Sequence, residues 1–80
     1  MTDQEIYSVL SEVFQDVFLR DDIALTPDLT AKDVKGWDSF KQIEIVYTVE
    51  ERFSIKLNAR EIEALKSVGD LAAVIARKTA

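Results

Sequence analysis

The chain has no cysteine and no histidine. Without thiols no disulfide can brace it, and without thiols or imidazoles a structural zinc site lacks its ordinary ligands. The same gap removes the usual nucleophile–base pairs, since covalent catalysis needs a base within hydrogen-bond reach of the nucleophile. Asp21, Asp22 and Asp28 do not fall into the D-x-[DN]-x-[DN]-G spacing of a calcium loop. No catalytic residue and no metal site is therefore expected. No apolar run approaches the ~20 residues of a membrane span, and Met1-Thr2-Asp3-Gln4-Glu5 lacks the basic start of a signal peptide. Positive charge is also scarce: ten basic against fifteen acidic residues give a net charge of −5. That surface repels nucleic acid and favours basic protein partners. A soluble cytoplasmic protein that touches neither nucleic acid nor membrane is the expectation.

What is present is apolar and helical in period. Nearly half of the 80 residues are hydrophobic (48%), enough for one core, and residues 1–80 are expected to form one domain. Ile6, Val9, Leu10, Val13, Phe14, Val17 and Phe18 recur at three- and four-residue spacing, with Thr2 and Glu5 placed as a capping box before them. A segment from about Arg20 to Trp37 follows, anchored by Ile23, Leu25, Leu29 and Val34 and broken by Pro27 and Gly36. It is long for a loop in so small a domain, and long ordered loops are often functional. A second helix is predicted from Asp38 or Ser39 to about Arg52. Its buried side is read as Phe40, Ile43, Val46, Tyr47, Val49 and Phe53, with Ile45 widening the stripe so that part of this face is expected to remain exposed. Asn58 with Glu61 caps a brief third helix to about Lys66. Ser67 opens a fourth that buries Val68, Leu71, Ala72 and Ile75. Phe53–Leu57 alternates like a strand but has no partner, and no hairpin pattern appears anywhere. The order long helix, long loop, helix, short helix, helix describes an all-α four-helix bundle.

The chemistry concentrates at the start of the second helix. A hydroxyl at Ser39 stands where backbone N–H groups point outward and the macrodipole amounts to roughly half a positive charge, a place that suits a phosphate ester. A purely structural reading is also open. Ser39-Phe40-Lys41-Gln42 is an S-x-x-Q capping box, and Asp38 is equally placed to cap the helix with Ser39 as its first residue.

The stretch Gly36-Trp37-Asp38-Ser39-Phe40 and its continuation to Phe53 resembles the prosthetic-group site of acyl carrier and peptidyl carrier proteins. In that family an Asp-Ser-Leu or close variant marks the serine that receives 4′-phosphopantetheine. The helix order extends the resemblance over nearly the whole chain, to the four-helix fold with a long loop between helices 1 and 2 and a short third helix. It implies covalent 4′-phosphopantetheine on Ser39, installed from coenzyme A by a phosphopantetheinyl transferase to which Asp38 helps present the serine. It also implies acyl, hydroxyacyl or aminoacyl cargo held as thioesters, loaded by a ligase or acyltransferase and passed to condensing or modifying enzymes with basic docking patches. The Gly-Trp-Asp-Ser stretch is similar to discrete, stand-alone carriers of specialised pathways (polyketide, nonribosomal peptide or modified fatty acid) more than to the housekeeping fatty-acid carrier. The rival is an acidic helical interaction module with no prosthetic group and Ser39 as a cap.

Recognition by partners is expected along the second helix. Glu44, Glu50 and Glu51 match the positions where acidic carriers meet basic enzyme patches, and such pairs chiefly steer association. Lys41 departs from that pattern, because strongly acidic carriers usually have an acid there. Phe40 replaces leucine and groups with Ile43 and Tyr47 as an apolar contact patch. Charge reversal at Lys41 or Glu44 is expected to alter partner rates and leave unfolding nearly unchanged. Trp37 is read as the anchor of the loop on the core, and a monomer is expected.

Overall fold

The computed structural model describes all 80 residues and contains four α-helices and no strand: α1 (Asp3–Phe18), α2 (Ser39–Phe53), α3 (Ala59–Glu63) and α4 (Val68–Lys78). Helix α1 starts where the Thr2 hydroxyl accepts from the Glu5 N–H and the Glu5 carboxylate accepts from the Thr2 N–H, so the predicted capping box forms. Its inner face, Ile6, Leu10, Val13, Phe14 and Val17, is buried against both α2 and α4. These side chains form one cluster with Ile45 and Val49 of α2, Val68, Leu71 and Ile75 of α4, and Ile55 and Leu57 of the link. Each fully buried member contributes about 1.5–3 kcal/mol, which is what holds a domain lacking disulfides. The alternation at 53–57 is thus explained without a strand: Ile55 and Leu57 turn inward and Ser54 and Lys56 outward.

The segment between α1 and α2 is pinned rather than free. Val34 is buried, and Ile23, Leu25 and Leu29 pack on the core. A 3₁₀ turn, not foreseen from the sequence, occupies Ala31–Asp33, where the Asp33 carboxylate accepts from the Thr30 N–H. The first turn of α4 closes on this segment. Val68 N–H donates to the Leu29 carbonyl at 2.9 Å and Gly69 N–H to the Pro27 carbonyl at 3.0 Å, satisfying two otherwise orphaned helix donors. A Cβ on Gly69 would lie 2.9 Å from the Pro27 oxygen, so the approach requires glycine.

Two expectations are corrected. In α2 the buried residues are Ile45, Val46 and Val49, whereas Phe40, Ile43 and Tyr47 are 79%, 53% and 68% exposed. At about 100° per residue the helix carries two apolar stripes on roughly opposite sides, and α1 covers only the one centred on Ile45 and Val49. Helix α3 ends at Glu63, short of Lys66, and buries no residue fully. It is held by the partial packing of Ile62 on the core and by polar contacts at its N-terminal turn. The Asn58–Glu61 capping box forms, and the Glu61 carboxylate also takes Arg77 and Lys78 of α4 at 3.0 and 3.1 Å. These three sets of donors hold the Glu61 carboxyl below its ordinary range, the backbone N–H of Asn58 first among them. Glu50 also serves the fold: its carboxylate accepts from the Leu57 N–H at 2.8 Å and fixes the turn after α2.

Candidate functional site

The start of α2 is assembled from the loop, α1 and α2 together. Gly36 adopts φ 92°, a conformation L side chains avoid, and reverses the chain just before Trp37. The Trp37 ring then lies edge-on to Phe14, with centroids 5.3 Å apart and planes at 80°, and meets Phe18 at 6.1 Å. Its indole N–H donates to the Gln42 side-chain oxygen at 2.8 Å. Trp37 is therefore the anchor of the loop, and Gln42, a polar residue on the inner side of α2, has its partner.

Asp38 caps the helix. It is extended (φ −114°, ψ −169°), and its carboxylate accepts from the Lys41 N–H at 3.0 Å. The two readings left open by the sequence are thereby separated: Asp38 is the cap and Ser39 is the first residue of α2. The S-x-x-Q box does not form, because Gln42 is committed to Trp37. None of the side-chain hydrogen bonds at this end involves the Ser39 hydroxyl, and the residue is exposed. Ser39 N–H and Phe40 N–H have no carbonyl partner. An exposed, unengaged hydroxyl beside two free donors suits an ester of phosphate, whose negative charge the helix N-terminus favours.

Sequence reading missed what Lys41 does. Its ammonium crosses to α1 and donates to the Val17 carbonyl at 3.0 Å, while the Glu44 carboxylate lies 3.7 Å away. Helix α1 has no basic residue in its own last turn, so a residue 24 positions later supplies the cation there. Nothing local in the sequence announces this contact. On the outer side of α2, Phe40, Ile43, Tyr47, Glu44 and Glu51 are all exposed and form a continuous band beginning at Ser39.

Beside Ser39 an open groove of about 530 Å³ runs between α2, α3 and the loop, walled by Trp37, Ile43, Ile62 and Leu65. The residues present thus offer an attachment oxygen, donors for a phosphate and a half-apolar trough leading away from it. Nothing in the arrangement is a base or a second nucleophile poised against the serine, and no group of three or more metal-ligating side chains occurs in the chain. No helix is long and apolar enough to cross a membrane.

Comparison with known proteins agrees with this geometry. The family described as "Phosphopantetheine attachment site" matches residues 8–75. An acyl carrier protein of Exiguobacterium sibiricum is 31% identical over 75 residues, 94% of this chain and 95% of that protein. A meromycolate extension acyl carrier protein of Mycolicibacterium smegmatis is 28% identical over 92% of this chain and 75% of its own length. The corresponding Mycobacterium tuberculosis protein is 27% identical, and the chain spans 65% of it. The solution NMR structure of holo acyl carrier protein from Geobacter metallireducens superposes with a TM-score of 0.84 at 35% identity, covering 89% of this chain and 82% of that one. An interaction module without a prosthetic group is set aside by these matches. The match across most of its length, the four-helix order and the exposed serine at the head of α2 place this chain in the acyl carrier protein family, whose members bear a 4′-phosphopantetheine arm and are carriers rather than catalysts.

Proposed function

We propose that residues 1–80 form one carrier domain in which the Ser39 oxygen bears the 4′-phosphopantetheine arm, received from coenzyme A through a phosphopantetheinyl transferase. The observation that carries this reading is the division of labour at the head of α2. Asp38 does the capping, which leaves the Ser39 hydroxyl exposed and without a partner. The arm's terminal thiol supplies the thioester chemistry; the protein's part is attachment, orientation and recognition. The negative phosphodiester is favoured by the free N–H groups of Ser39 and Phe40.

The cargo is an acyl, hydroxyacyl or aminoacyl intermediate of a specialised pathway, a reading supported by the Trp37-Asp38-Ser39-Phe40 sequence and the likeness to meromycolate extension carriers. A ligase or acyltransferase loads it, and condensing or modifying enzymes take it up. These partners meet the outer band of α2. Phe40, Ile43 and Tyr47 offer apolar surface next to the arm, and Glu44 and Glu51 offer negative charge to basic patches. Glu50 and Lys41 stand partly apart from that role, since both are engaged within the molecule. The carrier works in the cytoplasm as a monomer, with Ile45 spent inside the core and Tyr47 kept for partners.

Incubation with coenzyme A, a divalent cation and a phosphopantetheinyl transferase should add one phosphopantetheine mass to the wild type and none to Ser39→Ala. Ser39→Ala should unfold like the wild type, while Asp38→Ala loses about 0.5–2 kcal/mol, the usual worth of a helix cap. A wild type that gains no mass with several transferases overturns the proposal.

A further inference from the structure

The groove beside Ser39 does not lead into the core. Next to it lies a second, more enclosed hollow of about 40 Å³, bordered by Lys66, Ser67 and Leu71. Ala31, Trp37, Gln42 and Leu65 line both spaces, and of these Trp37 and Gln42 are joined by a hydrogen bond, so the pair forms the tied part of the partition between them. An apolar cavity of about 150 Å³ is what accepts a six-carbon ring. The hollow falls well short of that and is partly walled by polar residues. Behind the partition the core is closed, with Ile6, Leu10, Val13, Val49, Val68 and Ile75 at zero exposure.

We propose that the Trp37–Gln42 pair determines cargo specificity by stopping the acyl group at the groove. The carrier then suits short or polar acyl groups that remain outside, and it does not withdraw a long alkyl chain between its helices. This rests on the reading that Ser39 bears the arm. Entry of a chain would have to lift the indole from its edge contacts with Phe14 and Phe18 and strip its N–H of the Gln42 acceptor. An indole N–H left without a partner in apolar surroundings is costly. The opposite wall is less deeply packed: α3 has no fully buried residue, and Ile62 and Leu65 meet the core only in part.

The test uses a transferase to load acetyl-, butyryl- and octanoyl-phosphopantetheine from the respective coenzyme A thioesters. Thermal midpoints are compared, together with the emission of Trp37, the sole tryptophan. Withdrawal of even two methylenes into the core corresponds to a rise of roughly 6–13 °C for a domain of this size. The wild type is expected to show a spread below about 5 °C across the three forms and constant emission. An octanoyl form that is more stable by a larger margin, with shifted Trp37 emission, overturns the proposal. Trp37→Ala is expected to acquire the chain-length dependence, and Gln42→Ala serves if that variant does not fold. A folded variant that stays indifferent to chain length overturns the assignment to the pair. Failure of the attachment reading is distinct from all of these, since no acylated form is then obtained.

Discussion

Replacement of Lys41 by methionine sets two physical arguments against each other with opposite signs. Lys41 sits in the first turn of α2, where a cation opposes the macrodipole by about 0.3–1 kcal/mol. On that local rule, removing the charge stabilises the protein. The tertiary structure says the reverse. The ammonium donates to the Val17 carbonyl at 3.0 Å, at the end of a helix that has no cation of its own. A hydrogen bond from a charged donor is worth about 1.5–3 kcal/mol when sheltered, and less here because the side chain is 34% exposed. Favourable placement at the α1 C-terminus adds about 0.3–1 kcal/mol, nearly cancelling the penalty at α2, and the exposed pair with Glu44 adds less than about 1 kcal/mol. The tertiary contact therefore wins by about 1 kcal/mol. Lys41→Met, which keeps most of the aliphatic stem, should lower the thermal midpoint by about 4–8 °C, the shift that 1 kcal/mol produces in a domain of this size. Lys41→Glu should fall further, because a carboxylate then faces the α1 carbonyls and Glu44. Calorimetry or thermal circular dichroism reads the shift. A midpoint that is unchanged or raised in Lys41→Met refutes the reasoning and restores the surface-charge expectation drawn from sequence.

Gly69→Ala brings a Cβ to within 2.9 Å of the Pro27 oxygen and 3.2 Å of its Cβ, so the loop must retreat. Loss of the Val68–Leu29 and Gly69–Pro27 hydrogen bonds, about 1 kcal/mol each, should outweigh the gain of up to about 1 kcal/mol in helix propensity, and hydrogen exchange of the Val68 and Gly69 amides should quicken. The Glu61 carboxyl, held below its ordinary value of 4.5, contributes stability that is present above that value and lost as pH falls through its lowered folded-state pKa. Glu61→Gln should thus be less stable at neutral pH, and its pH titration of thermal midpoint should be flatter below about 4.5.

Helix order, caps and the place of the site were legible in the sequence because they follow from local rules. Thr2 with Glu5, Asn58 with Glu61 and Ser67 each announce a helix start by side-chain chemistry that acts over three residues. Ser39 was found the same way, as a hydroxyl at the head of an apolar-periodic run. The inner side of α2 was not legible. Two apolar stripes on one helix compete for one neighbour, and periodicity cannot say that α1 takes Ile45 and Val49 and leaves Phe40, Ile43 and Tyr47 to solvent. Likewise Asp38 and Ser39 were equivalent as caps until Gln42 found the Trp37 indole.

By itself, then, the sequence determined the number and order of helices, the absence of thiol and imidazole chemistry, and the serine at the mouth of α2, since each is written in composition or in contacts between near neighbours. Only the folded chain decided which side of α2 faces outward, that Lys41 secures the end of α1, and that the Trp37 indole beside the groove finds its acceptor in Gln42. Those contacts join residues brought together by packing, or choose among partners that local chemistry leaves equal.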